Sequence, residues 1–144
     1  MLEAVGKPAT CRDLDVIFRE GDAGGEMYVI KSGRVKLTKK THGIVATIAT
    51  LEAGDFFAEM SLFDDAPRSA TATAVGKVEL VAYDKQTLTD SIARDPAIAL
   101  SMLAAMSRRI RAIDDELAQL VAKGLLPKEQ ATALRRYTFA GAWQ

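Results

Sequence analysis

Residues 51–73 read LEAGDFFAEMSLFDDAPRSATAT, and the only basic residue among them is Arg68. From Thr41 to Pro67 the chain carries five acids (Glu52, Asp55, Glu59, Asp64 and Asp65) and no Lys or Arg. The next basic residue after Arg68 is Lys77. A lone Arg in an acidic, small-residue segment between two apolar runs needs a partner. Glu59, nine residues earlier, is one candidate, through a local ion pair. A phosphate is the other, because the planar guanidinium fork fits two oxygens of one phosphate. Ser69 adds a hydroxyl, and Ser69 and Ala70 add backbone N–H groups on residues small enough for close approach. A carboxylate beside a phosphate repels it but accepts hydrogen bonds from a sugar hydroxyl. Glu59 with Arg68 would therefore suit a sugar phosphate carrying a free hydroxyl. The residue chemistry leaves both partners open.

Around this stretch, short apolar runs are cut by Gly21, Gly24, Gly25, Gly33, Gly43, Gly54 and Gly76. Counted from Gly21, the steps to Gly33, Gly43 and Gly54 are 12, 10 and 11 residues, the spacing of strand-and-turn units in sandwiches and barrels. The runs Met27–Lys31, Val35–Thr38, Ile44–Leu51, Ala70–Val75 and Val78–Tyr83 are β-branched or alternating. No proline lies between Pro8 and Pro67 to interrupt a central strand. Residues 16–83 read as an antiparallel β-roll. Phe56, Phe57, Leu62, Phe63 and Tyr83 are expected in its core. His42 beside Gly43 is expected in a solvated hairpin turn, and Cys11 is expected as an unreactive thiol near an N-terminal helix.

The period changes after Tyr83. Asp84 to Arg94 predicts a short helix ending before Pro96. Asp95 can cap a longer helix from Pro96 to about Lys123, with Gly124 as its stop. Within it, Leu103, Met106, Ile110, Ile113, Leu117 and Leu120 follow steps of 3, 4, 3, 4 and 3, an a/d seam. Arg108, Arg109, Arg111, Asp114, Asp115 and Glu116 crowd its other faces. A stripe that narrow favours packing against a second copy; a helix lying on the roll as a core element usually buries a wider face. The domain division is 1–123 (β-roll 16–83, helices 84–123) and a helical tail over 124–144. Pro127 opens a short helix through about Tyr137, and Trp143 is either a docking anchor or exposed. This tail could engage a protein partner.

The whole chain has 144 residues, with 19 Lys+Arg against 19 Asp+Glu. Zero net charge argues against holding nucleic acid by bulk electrostatics. The sum hides a division: residues 1–105 hold 12 basic and 15 acidic residues, and residues 106–144 hold 7 and 4. One Cys and one His exclude an internal disulfide, a four-ligand zinc framework and a multi-His metal site. No metal ligands or catalytic residues are assigned, and an enzyme is not expected. No apolar run is long enough for a transmembrane helix. The N-terminus lacks a secretory pattern, so a cytoplasmic protein without membrane contact is expected.

Two ordered segments resemble the cyclic nucleotide-binding domain family. Ile17-Phe18-Arg19-Glu20-Gly21-Asp22-Ala23-Gly24-Gly25-Glu26-Met27-Tyr28-Val29-Ile30, followed by Ser32-Gly33-Arg34-Val35, looks like the family's glycine-turn hairpin. Gly54 to Phe63, then Pro67-Arg68-Ser69-Ala70-Thr71, looks like its phosphate-binding cassette. The resemblance spans roughly Leu14 to Leu120. It implies a mainly β fold with flanking helices, an antiparallel β-roll of jelly-roll type (a double-stranded β-helix) followed by a long C-terminal helix.

It also implies site roles. Arg68 would pair with the cyclic phosphate and Glu59 would accept the ribose 2′-OH. The backbone of Ala58, Met60 and Ala70 and the Ser69 hydroxyl would complete the cradle. Leu37 and Ile48 would flank the base. Arg109, or its neighbour Arg108, could stack on the purine from a helical lid. Ala58 departs from the family's usual glycine. At positive φ its strain would be about 1 kcal/mol, read here as a several-fold loss of affinity; at negative φ it would cost nothing. Gly25 stands where an acid is common. Some family members use a hydroxyl at the position of Ser69 to favour guanine, but nothing else in the chain looks like a guanine reader, so cAMP is expected before cGMP. The expected protein is a stand-alone sensor, homodimeric through residues 103–120, signalling by rearranging its C-terminal helices. The alternative is the same fold without nucleotide binding, serving as a dimerisation or scaffold module.

Overall fold

The computed structural model describes residues 6–140 of the chain. It divides into two compact units at Pro96 and Ala97. The first holds strands β1 (Lys7–Cys11), β2 (Val16–Phe18), β3 (Glu26–Thr41), β4 (Ile44–Glu52), β5 (Phe56–Phe57) and β6 (Thr71–Asp84), with helices α1 (Glu59–Asp64) and α2 (Lys85–Arg94). The second holds α3 (Ala97–Ala122) and α4 (Lys128–Ala140).

The sheet is antiparallel, with strands in the order β1-β6-β3-β4; β2 also pairs with β6, and β5 with β3. The predicted runs Met27–Lys31 and Val35–Thr38 are halves of one strand, β3. Likewise Ala70–Val75 and Val78–Tyr83 are halves of β6. Gly33 and Gly76 mark bends, not chain reversals. Both have positive φ, 87° and 71°. At the bend the register jumps from Ser32↔Glu79 to Arg34↔Val75. A run of strand, glycine and strand reads the same in sequence whether the chain reverses or bends.

Inner-face residues alternate along β6 as the pleat requires. Ala70, Ala72, Ala74, Val78 and Leu80 are buried while Lys77 and Glu79 are exposed. With Ile30, Val35 and Phe57, the last four of those buried residues form the core cluster. Phe56, Leu62 and Tyr83 are buried as expected, but Phe63 is 52% exposed, because α1 has only six residues and directs one apolar edge outward.

Residues near Cys11 form β1, not a helix. β1 is an edge strand, so the missing N–H of Pro8, opposite Val81, is tolerated there. Burial, and then the Asp15 charge, push the Cys11 thiol upward in pKa, consistent with an unreactive thiol. His42 (φ 53°) and Gly43 (φ 79°) connect β3 to β4, and two consecutive positive φ values make this a type I′ hairpin turn.

Asp84 caps α2 by accepting the Thr87 N–H at 2.7 Å. The Thr87 backbone N–H and hydroxyl hold its carboxyl below the usual carboxylate range. Helix α3 stops as expected at Gly124 (φ 73°). Gly124 N–H donates to Val121 O and Leu125 N–H to Leu120 O, the paired bonds of a Schellman motif. Trp143 lies outside the described residues. Among those residues no helix is long and apolar enough to cross a membrane.

The bend separates two glycines of similar φ. A Cβ on Gly33 would collide with the Lys77 carbonyl oxygen and crowd the Val78 Cα at 3.0 Å; one on Gly43 (φ 79°) would meet nothing within 4 Å. Gly43→Ala should cost only the left-handed penalty of about 1 kcal/mol. Gly33→Ala adds a clash with main chain and should cost at least about 2–3 kcal/mol. Urea denaturation of both variants checks this; equal losses would show that the bend does not depend on the close approach.

Candidate functional site

The loop between β2 and β3 grips the main chain of Arg68 on both sides. Gly21 N–H donates to Arg68 O and Arg68 N–H donates to Asp22 O, each at 2.8 Å. The loop is itself closed: Arg19 N–H donates to Asp22 Oδ2 and Asp22 N–H to Arg19 O, both at 3.0 Å. The hairpin segment and the cassette, 46 residues apart between Asp22 and Arg68, are thus one hydrogen-bonded unit.

The Arg68 side chain is buried, at 6% exposure. Its Nη1 donates to Glu26 O at 2.7 Å, with a longer contact to Ala58 O at 3.5 Å. Its Nε is buried and has no hydrogen-bond partner. Its Cζ stands 4.4 Å above the Phe18 ring centroid and 5.8 Å from that of Tyr28. The sequence pointed to the Glu59 carboxylate as the protein partner, whereas these hydrogen bonds go to neutral main-chain carbonyls. Burial, then the Glu26 charge, push the Tyr28 phenol upward in pKa, and Arg68 opposes them.

Ala58 is the N-cap of α1 at φ 69°, ψ 13°, the left-handed region. The conditional raised by its departure from glycine is therefore met. Alanine offers no side-chain cap, and none is present. Glu59 follows in the first turn of α1 and is 6% exposed, while the Met60 side chain is 54% exposed.

Ser69 is exposed and Ala70 is buried at the entry to β6. Lys39, which the sequence did not single out, reaches from β3 to donate to Ser69 O at 3.1 Å. The peptide bonds are trans, so drawing this carbonyl toward Lys39 turns the following Ala70 N–H the opposite way. The next residue of the same strand is also tied down: Lys40 N–H donates to Glu20 Oε1, and Glu20 N–H to Thr71 Oγ1, both at 3.0 Å.

Leu37 and Ile48 meet at an irregularity of the β3–β4 pairing. Leu37 faces Ala49 and Thr38 faces Thr47, so Ile48 is the extra residue of a bulge. Leu37 packs against the core cluster, and Ile48 is 54% exposed. The first unit thus holds Ala58, Glu59, Met60, Arg68, Ser69, Ala70, Leu37 and Ile48, while Arg109 belongs to α3 in the second. Among the described residues no cluster of His, Cys, Asp and Glu could hold a metal ion.

The carbonyl of Glu26 and the rings of Phe18 and Tyr28 were also missed from sequence. A main-chain acceptor leaves no trace in residue type. The two rings could have been suspected from their places flanking the glycine loop.

Gly24 lets this loop sit on α1: a Cβ there would fall on Ser61 Cβ, with Ser61 Oγ at 2.6 Å. Gly24→Ala should lower the melting temperature, and adding Ser61→Gly should recover part of that loss despite glycine's own helix cost of about 1 kcal/mol. A double-mutant cycle with no coupling would place the Gly24 constraint elsewhere.

The comparisons with known proteins agree with this fold. The family described as cyclic nucleotide-binding domain matches residues 10–95. The Cyclic AMP receptor protein of Thermus thermophilus is 42% identical over 103 residues, covering 70% of this chain and 47% of its own length. A CRP-like cAMP-activated global transcriptional regulator of Mycobacterium tuberculosis is 34% identical over 106 residues, covering 73% of this chain and 47% of its own. The crystal structure of Thermus thermophilus catabolite activator protein superposes with a TM-score of 0.76 at 35% identity, covering 83% of this chain and 57% of that one. The chain spans about half the length of these curated relatives. With its β-roll, its long helix and a match over residues 10–95, the chain belongs to the cyclic nucleotide-binding domain family.

Proposed function

We propose that this chain is a cyclic nucleotide sensor that takes cAMP in preference to cGMP. The observation that carries the reading is Arg68: a buried guanidinium, held by neutral carbonyls, with its Nε donor unpartnered. A cation so placed retains its charge for an anion. Arg68 pairs with the cyclic phosphate, and buried Glu59 accepts the ribose 2′-OH. The Ser69 hydroxyl and the main chain of Ala58, Met60 and Ala70 complete the cradle. Leu37 and Ile48 flank the base, and Arg109 stacks on the purine. Two of the relatives carry cyclic AMP in their names, which supports the choice of base.

Signalling in this reading is a shift of the helices after Tyr83. It requires the nucleotide to contact two arrangements unequally. The output surface is the α3 seam of a homodimer. Leu103, Ile110, Ile113 and Leu120 are 59%, 45%, 56% and 39% exposed in the single chain, as a face reserved for a second copy would be. The α4 tail serves a protein partner; neither nucleic acid nor membrane is engaged by these residues, and the reading assigns no catalysis.

Calorimetric titration with cAMP and with cGMP tests the site. The wild type should bind both, cAMP more tightly, and Arg68→Ala should lose about 2–5 kcal/mol of binding. Unchanged affinity in Arg68→Ala removes Arg68 from the site. No binding of either nucleotide by the wild type leaves the second reading, a dimerisation or scaffold module. For the seam, light scattering should give a dimeric wild type and a monomeric Ile110→Asp; a monomeric wild type at high concentration refutes the seam.

A further inference from the structure

Three rings from three different strands pack together beside Arg68, two of them, Phe18 and Tyr28, facing its guanidinium. Phe18 comes from β2, Tyr28 from β3 and Phe57 from β5. Phe18 and Tyr28 stack at 6.0 Å and 25°, and Tyr28 and Phe57 at 5.3 Å and 24°. Phe18 and Phe57 are 6.0 Å apart at 36°. The arginine carbon stands 4.4 Å from the Phe18 centroid, within the roughly 6 Å over which a ring face attracts a cation. Sheet pairing fixes the set, since Tyr28 faces Phe57 directly across β3 and β5.

We propose that Phe18, backed by Tyr28 and Phe57, is a positioning platform that holds the Arg68 guanidinium ready for phosphate. The proposal rests on the assignment of Arg68 as the phosphate reader. A cation held over a ring face keeps its N–H bonds in its own plane, so its edge stays open to an anion. Here one edge is anchored by Nη1 on Glu26 O, and Nε stays unpartnered although buried. Holding a buried donor without an acceptor is unfavourable unless something else fixes the group, and the ring face provides that attraction.

Affinity counts only the difference between free and bound protein. The platform therefore acts by ordering the side chain before the ligand arrives. Arg carries about 2 kcal/mol of rotamer entropy, and a side chain already held loses less of it on binding. Weakening the ring's attraction without changing its shape should release Arg68 to other rotamers and weaken binding.

The test is a series in which Phe18 is replaced by phenylalanines bearing one, two and three ring fluorines, which withdraw charge from the ring face while nearly keeping its size. The probe is cAMP in calorimetric titrations of the full chain, with thermal melting as the control for packing. The dissociation constant should rise with each fluorine, by about three- to tenfold across the series, while melting temperatures hold. Phe18→Tyr should keep near-wild-type affinity and Phe18→Leu should lose it by a similar factor. A flat series with a weakened Phe18→Leu makes Phe18 a packing residue and overturns the platform. A wild type that binds cAMP and loses it in Arg68→Ala, beside a flat fluorine series, overturns the platform alone. A wild type that binds no cAMP overturns the phosphate assignment and the platform with it.

Discussion

The burial of one guanidinium constrains the rest of this fold. Removing an ion from water costs several kcal/mol even after relaxation, and Arg68 is 6% exposed. The structure offsets the cost with contacts from separate parts of the chain. Glu26 at the start of β3 and Ala58 at the cap of α1 supply carbonyls, β2 supplies the Phe18 ring, and the Gly21–Asp22 turn holds the main chain. Apart from Ala58, ten residues earlier in the cassette, these groups are far from Arg68 in sequence, so the cation is buried favourably only when β2, β3 and the cassette are all in register. Because the acceptors are neutral carbonyls, these contacts solvate the charge without cancelling it. A buried cation satisfied in this way suits the anion-binding role proposed for it.

The same arrangement changes what Ala58 means. A methyl at positive φ suggested a loss of affinity when only the residue type was considered. Its left-handed geometry, however, belongs to the start of α1, where the Ala58 carbonyl also contacts Arg68 Nη1. A strain of about 1 kcal/mol set by the helix cap counts against folding, and it enters binding only where the methyl touches the ligand. The glycine usual in the family would remove the strain but add backbone entropy to the unfolded chain, about 0.5–1 kcal/mol. The two terms are of similar size and opposite sign, so alanine is tolerable at this position.

How much of this was legible in the sequence follows from what each contact depends on. The roll, the helix after Tyr83, the His42–Gly43 turn and the Gly124 stop were readable because each rests on local rules of period, cap and φ. Arg68 stands out by charge as the only basic residue of 51–73, but the cassette as a whole was legible only through the resemblance of Gly54 to Phe63 and Pro67 to Thr71 to the family. The bends at Gly33 and Gly76 were read as strand ends, since a glycine cannot announce whether the chain reverses or only bends. β1 was missed because its pairing partner, β6, lies some 70 residues away. The site contacts that escaped, Glu26 O and Lys39 to Ser69 O, run through main-chain carbonyls that every residue possesses. Phe63 misled for another reason: apolar character predicts burial only when the helix has enough covered surface, and α1 does not.

If Arg68 reads a phosphate as proposed, the charge distribution bears on which anion it takes. Arg68 is flanked in sequence by five acids between Thr41 and Pro67, and residues 1–105 carry 15 acids against 12 bases. A nucleic-acid backbone would bring many phosphates to such a surface and gain attraction at few of them. A small ligand with one phosphate meets the opposite balance. In the proposed mode its single charge lies against the buried guanidinium, where the low-dielectric surroundings strengthen attraction, and buried Glu59 accepts from a sugar hydroxyl. In the proposed binding mode such an acidic segment favours a compact sugar phosphate over a polyanion, and one deeply held cation does more for that ligand than a surface of solvated lysines.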